Sequence, residues 1–197
     1  MFAKKFLEQT VQILHQINSE SLENMVRVLK KIREDQGRLF FIGSGGGAGH
    51  ASHATCDFRK LCGFQAYCPS DNISELTARI NDDGWDTSLA NYLKVSKFNE
   101  KDALFIFSVG GGSEEKNIST NLVQAIKTAK LAGGKVLGLV GKDGGFAAKK
   151  ADAYVVVPPL NPKLITPHTE GLQAVLWHLL ISHPELQIHP TKWESVS

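Results

Sequence analysis

Residues 39–50 read Leu-Phe-Phe-Ile-Gly-Ser-Gly-Gly-Gly-Ala-Gly-His, an apolar run of strand length that ends in a loop holding five glycines. Helix-forming spacing follows, through Ala51-Ser-His-Ala-Thr-Cys-Asp57. A strand that is apolar at every position must be covered on both faces, which restricts the chain to sheets flanked by helices. A glycine loop between such a strand and a helix offers free backbone N–H groups and a helix N-terminus, the arrangement that receives an anion. His53 and Asp57 are four residues apart, so on that helix they share one face a little beyond the loop.

The rest of the chain repeats the pattern. Strands are predicted over 38–42, 65–68, 103–108, 136–140 and 154–157, with Ala103-Leu-Phe-Ile-Phe-Ser108 the clearest. Helices are predicted from the glycine loop onward, over 73–80, through Lys97 after the Asp82–Asp86 loop, over 114–131 and 146–150, and over 166–182. Continuous apolar strands alternating with helices imply an α/β fold, a doubly wound parallel sheet sandwich of flavodoxin-like type. At 197 residues the chain is expected to form a single domain. Residues 1–36 form a helical arm of two helices, broken or capped at Ser19-Glu-Ser21, with 37–182 the α/β core and 183–197 a loosely ordered tail. Phe6, Leu7, Val11, Leu14, Ile17, Leu22, Met25, Val26, Leu29 and Ile32 give the arm an apolar stripe. Packing against another subunit would bury it, so an oligomer is expected.

Both glycine loops, 43–49 and 109–112, fall at carboxyl ends of predicted strands, where open α/β sheets bind ligands. Ser108 ends a strand and Ser113 is read as opening the next helix, so their hydroxyls and nearby N–H groups suit a phosphate monoester. A tight turn with Ser113 as N-cap fits the same residues about as well. A dinucleotide fingerprint is disfavoured by the loose glycine spacing and by the lack of an acidic residue about 20 residues on; no Gly-Lys-Ser/Thr is present for a triphosphate loop. A net charge of +2 and the absence of an apolar run near the ~20 residues of a membrane span give no support for nucleic-acid or membrane partners. The N-terminus does not read as a signal peptide, and Cys56, Cys62 and Cys68 lack the paired spacing of zinc sites; a cytoplasmic protein with free thiols is expected. Taken alone, His178 reads as a hydrogen-bonded core histidine on an apolar helix, and His53 with Asp57 as a local ion pair.

These pieces together resemble the sugar-isomerase (SIS) domain superfamily and, within it, the phosphoheptose isomerases. The matching stretches are Phe41-Ile-Gly-Ser-Gly-Gly with His53 downstream, Ser108–Ser113, Leu139-Val-Gly-Lys-Asp-Gly-Gly145, and the last helix with Glu170 and His178. The resemblance covers the chain to about Leu180. It implies a SIS-type fold and interconversion of sedoheptulose 7-phosphate and D-glycero-D-manno-heptose 7-phosphate through an enediol. It implies Asp57 and His178 as catalytic residues, and a Zn²⁺ or other divalent metal held by His53, Asp57, Glu170 and His178. Ser44, Gly45, Gly46, Gly47, Ser108, Gly110, Ser113 and Asp71 become the substrate-binding set, and a homotetramer with sites between subunits the assembly. Asp57 stands where the family has glutamate, Glu170 where it has glutamine, and Gly47 and Gly110 where it has phosphate-binding serines. Those departures bear on which sugar is used, and a paralogue with altered sugar specificity fits them too. The other function class is a non-catalytic SIS module that binds a sugar phosphate or a protein and regulates; carboxylates beside a phosphate favour the enzyme. His50, His168 and Lys142 are second-rank candidates, and for Asp71 capping of the next helix competes with holding a sugar hydroxyl.

Overall fold

The computed structural model describes residues 1–192. Five parallel strands form one sheet: β1 (Arg38–Gly43), β2 (Gln65–Tyr67), β3 (Ala103–Ser108), β4 (Lys135–Gly141) and β5 (Ala153–Val157). Their spatial order is β2-β1-β3-β4-β5. This is the flavodoxin-like order, and its direction reverses between β1 and β3. The two glycine loops therefore leave neighbouring strands at the one crevice the topology opens.

Alternate residues of each strand face opposite sides. Leu39, Phe41, Phe105, Phe107, Leu137, Leu139 and Val155 point to one face. Helices α2 (Ser19–Glu34), α3 (Gly46–Cys62) and α8 (Ile165–Ser182) cover it. Phe40, Ile42, Leu104, Ile106, Val136 and Val140 point to the other. That face is covered by α5 (Trp85–Val95), α6 (Thr120–Leu131) and the short α7 (Gly145–Lys150). Between β2 and α5 lies α4 (Ile73–Asp83), capped by Asn72, whose side chain accepts from the Glu75 N–H at 3.2 Å. Asp71 is exposed one residue earlier and is not the cap.

The N-terminal arm is two helices, as its break at Ser19-Glu-Ser21 predicts: α1 (Phe2–Gln16) and α2 divide at Asn18, whose side chain caps α2 by accepting from the Ser21 N–H. Three other expectations change. First, a partner subunit is not needed to bury the whole apolar stripe of the arm. Leu22, Met25, Val26, Leu29 and Ile32 of α2 are buried against the sheet of their own chain, so α2 needs no partner subunit. Only Ile13 of α1 is buried, while Phe2 is 70% and Leu7 64% exposed and Val11 and Leu14 are also exposed. Second, the helix after β3 begins at Thr120 rather than at residue 114. Residues 109–119 form a tight excursion closed by an antiparallel bridge between Ser113 and Ile118. Third, the first part of the tail, residues 183–189, is docked on the core. Leu186 is fully buried, the N–H groups of Ile188 and His189 donate to the Leu61 carbonyl, and the Arg33 guanidinium donates to the carbonyls of Glu185 and Leu186. Residues 193–197 lie outside the described part of the chain.

Candidate active site

The first loop is shaped by close approaches that leave no room for a side chain. A Cβ at Gly47 would stand 2.5 Å from the Phe107 carbonyl oxygen, so α3 lies directly against the end of β3. This accounts for glycine where a serine was expected from the resemblance: a hydroxyl there would force the strand and helix apart. At Gly46, in the first turn of α3, a Cβ would stand 2.6–2.7 Å from both carboxylate oxygens of Glu170. The Glu170 carboxylate thus rests on the helix N-terminus, where a negative charge is stabilised.

The second loop is held by the turn after β4. The N–H groups of Phe146 and Ala147, at the start of α7, donate to the carbonyls of Gly112 and Gly111 at 2.9 Å each. Gly111 has φ +68°, and a Cβ on it would lie 1.8 Å from the Gly144 carbonyl oxygen. Gly-Lys-Asp-Gly-Gly, the most distinctive stretch of the sequence, therefore acts as a clasp on the second glycine loop. Lys142 itself points outward. Within the loop, the Ser108 hydroxyl accepts from the Gly111 N–H at 3.0 Å, which leaves its own hydrogen free.

A cavity of about 170 Å³ opens between the two loops. Ser44, Gly47, Ser108 and Gly110 line it, together with Ser119, Glu170 and Gln173. Gly45 borders a smaller cavity of about 80 Å³ on the other side of the loop, which shares Ser44. Ser113 and Asp71 border neither. Ser113 instead accepts from the Lys116 N–H within the excursion, and Ser119, in the left-handed conformation at φ +50°, takes the place beside the cavity. Its signal in the sequence is the Ser-Thr-Asn run just before the apolar period of α6, an N-terminus signature. Gln173 gives no such signal, being one of several polar residues along α8 with nothing in its spacing to single it out.

α3 and α8 lie side by side and point the same way. Glu170 meets Gly46 at one end; further along, the His53 and His178 rings are 5.6 Å apart. His53 Nε2 lies 3.5 Å from an Asp57 oxygen. Ligand atoms of His53, Asp57 and His178 all lie within 4.8 Å of one another, and among the described residues this is the one such group. Glu170 is not part of it. Its carboxylate is held two turns away on the loop, so the four-residue set expected from the resemblance separates into three residues and one. His178 Nδ1 is 2.7 Å from the Ala174 carbonyl; because a carbonyl only accepts, Nδ1 carries the hydrogen and Nε2 is left free. Two imidazole nitrogens and a carboxylate oxygen suit Zn²⁺ or a similar divalent ion, with positions left open. His50 stands between the cavity and this group, near Phe107 and within the electrostatic reach of Glu170, His53 and His178. Burial lowers its pKa, so it is neutral near pH 7.

Fold and site together define an α/β domain that takes a small anionic molecule at the switch point of its sheet and presents titratable side chains along the adjoining helices. The chain belongs to the SIS domain family, whose model matches residues 5–141, and within it to the phosphoheptose isomerases. The phosphoheptose isomerase of Pectobacterium atrosepticum is 34% identical over 146 residues, 72% of each chain. The lincomycin biosynthesis protein LmbN of Streptomyces lincolnensis is 31% identical over 151 residues; these are 73% of this chain but about half (54%) of that protein's length. Among solved structures, phosphoheptose isomerase GmhA from Neisseria gonorrhoeae superposes with a TM-score of 0.77 at 24% identity, over 91% of this chain and 94% of that one. No helix among the described residues is long and apolar enough to cross a membrane.

Proposed function

We propose that this protein is an aldose–ketose isomerase of a sugar phosphate, interconverting sedoheptulose 7-phosphate and D-glycero-D-manno-heptose 7-phosphate. The observation that carries the reading is the line of groups along α3 and α8. It starts at an anion-receiving cavity and ends at a cluster of two histidines and a carboxylate. His53 follows Gly46 by seven residues, a rise of roughly 10 Å along the helix, about the reach of an extended seven-carbon chain with its phosphate. The phosphate is assigned to the donors at the cavity: the hydroxyls of Ser44, Ser108 and Ser119 and the backbone N–H groups of the two glycine loops. The carbonyl end then lies at the cluster.

Isomerisation moves one proton between adjacent carbons and leaves the oxidation state of the whole molecule unchanged. In the proposed cycle the Asp57 carboxylate takes a proton from C1 of the ketose, and the electron pair forms the C1–C2 double bond of the enediol as the C2 oxygen gains a proton. His178, with Nδ1 fixed by Ala174, exchanges protons with the substrate oxygens through Nε2, and return of a proton to C2 gives the aldose. A divalent ion held by His53 and one Asp57 oxygen would polarise the carbonyl as a Lewis acid, with the His178 Nε2 serving either as its third ligand or as the proton carrier, not both at once. Neutral His50 lines the path between phosphate and carbonyl as a hydrogen-bonding group. Assembly as a cytoplasmic homotetramer through α1 belongs to the same proposal, supported by that helix's open apolar stripe. The test is incubation with sedoheptulose 7-phosphate in deuterated water. The expected result is aldose formation with deuterium at C2 of the product; no product, with the sugar phosphate bound, would leave a binding module.

A further inference from the structure

Gln173 is fully buried in α8, one turn after Glu170, and borders the 170 Å³ cavity. Its Nε2 donates to the Leu139 carbonyl of β4 at 2.7 Å. Only an N–H can face a carbonyl, so the strand fixes which way the amide points. The free end is therefore Oε1, a pure acceptor, buried and without a protein partner. Buried polar atoms are nearly always paired, and one left open beside a cavity calls for a partner from within it.

The chemistry of that partner follows from the other walls. Ser44, Ser108 and Ser119 bring hydroxyls, and the Ser108 hydrogen is free because its oxygen already accepts from Gly111. Those groups can donate to phosphate oxygens. Oε1 cannot, and the Glu170 carboxylate next to it also only accepts. The cavity thus has a donating wall made by the loops and an accepting wall made by α8. A bare phosphate satisfies the first and leaves the second unpaired; a phosphate carrying a hydroxylated carbon chain satisfies both.

We infer that Gln173 is a specificity-determining residue whose Oε1 accepts a hydroxyl hydrogen from the carbon chain beside the phosphate, so that the site prefers polyol phosphates to deoxygenated ones. This rests on the sugar-phosphate reading of the cavity. A site built to pair a substrate hydroxyl rejects the analogue lacking it, because the buried acceptor is then left open.

Calorimetric titration of the full chain with glycerol 3-phosphate and with propyl phosphate, which differ only in two hydroxyls, tests this. The parent is expected to bind glycerol 3-phosphate at least about tenfold more tightly, and Gln173→Met to bring the ratio close to one with propyl phosphate affinity about unchanged. Met also removes the bond to Leu139, but the ratio of two affinities on one sample does not depend on the fraction folded. Gln173→Glu, which in its protonated form keeps both a donor for Leu139 and an acceptor for the cavity, should retain the preference. A ratio that persists in the Met variant, a parent without preference, or a parent that binds neither ligand overturns the inference and leaves Oε1 to a resident water. Failure of the isomerase reading is told apart by the parent's action on sedoheptulose 7-phosphate. No aldose with the preference intact removes the reaction and keeps the role of Gln173.

Discussion

At the scale of single residues, the site turns on how few hydrogen-bonding orientations are open to each group. The Ala174 carbonyl leaves His178 only Nε2 to offer, and the shared helix face brings Asp57 to His53. Asp57→Asn keeps size and polarity and removes basicity. It is expected to lower kcat by about 10²–10⁴ with little change in substrate affinity. Elemental analysis of the purified variant checks the same residue's other role: loss of bound divalent ion along with activity would make Asp57 a ligand first, whereas solvent-deuterium exchange at the parent rate would exclude it as the base. Compared with the family's glutamate, its side chain is one methylene shorter, so reach as well as basicity is at issue.

At the scale of elements, the clasp between the turn after β4 and the loop after β3 fixes the donors of the cavity. Gly111→Ala puts a Cβ into the left-handed region, at about 1–2 kcal/mol, and drives it onto the Gly144 carbonyl. The variant should unfold at lower denaturant and show a raised KM for the sugar phosphate; unchanged values for both would mean that the loop is not set by this contact. A second inter-element contact joins α1 to α8. His168 is buried and stacks on Phe6 with ring centroids 4.3 Å apart, and burial lowers its pKa below the usual value near 6.5. With the folded pKa depressed, the unfolded chain takes up this proton first as pH falls. The associated stability is therefore full above about pH 6.5 and is lost progressively below it. Melting temperatures at pH 7.5 and 5.5 should fall further apart in the parent than in His168→Gln.

For the whole molecule, α1 is the element that offers a surface for assembly. α2 spends its apolar stripe inside the chain, whereas α1 presents Phe2, Leu7, Val11 and Leu14 outward. An exposed stripe of this kind on a folded chain marks an interaction surface. Under the proposed assembly, Leu7→Glu with Val11→Glu should reduce the mass seen by light scattering while far-ultraviolet circular dichroism stays that of the parent. A parent that is monomeric at micromolar concentration and active would rule the tetramer out.

Some of this was legible in residues 39–57 and their repeats. Continuous apolar runs separated by helical periods require a parallel sheet covered on both faces, and all five strands lie within a residue or two of where that pattern puts them. Helical periodicity is local, so it also pairs His53 with Asp57 without knowledge of the fold. Legibility ended where a side chain's neighbour lies on another element. Ser119 rather than Ser113 reaches the cavity because the 109–119 excursion folds on itself before α6 begins. Glu170 parts from His178 because the two stand two turns apart on α8, and α3, running beside it, offers a glycine to one and a histidine to the other. The arm divides into a buried α2 and an open α1 although their apolar spacing is alike, because only α2 lies over the sheet. Spacing along the chain determined which faces are apolar and where an anion can be received; the long-range crossovers of the sheet alone decided which groups meet across them, since those meetings depend on contacts far apart in sequence.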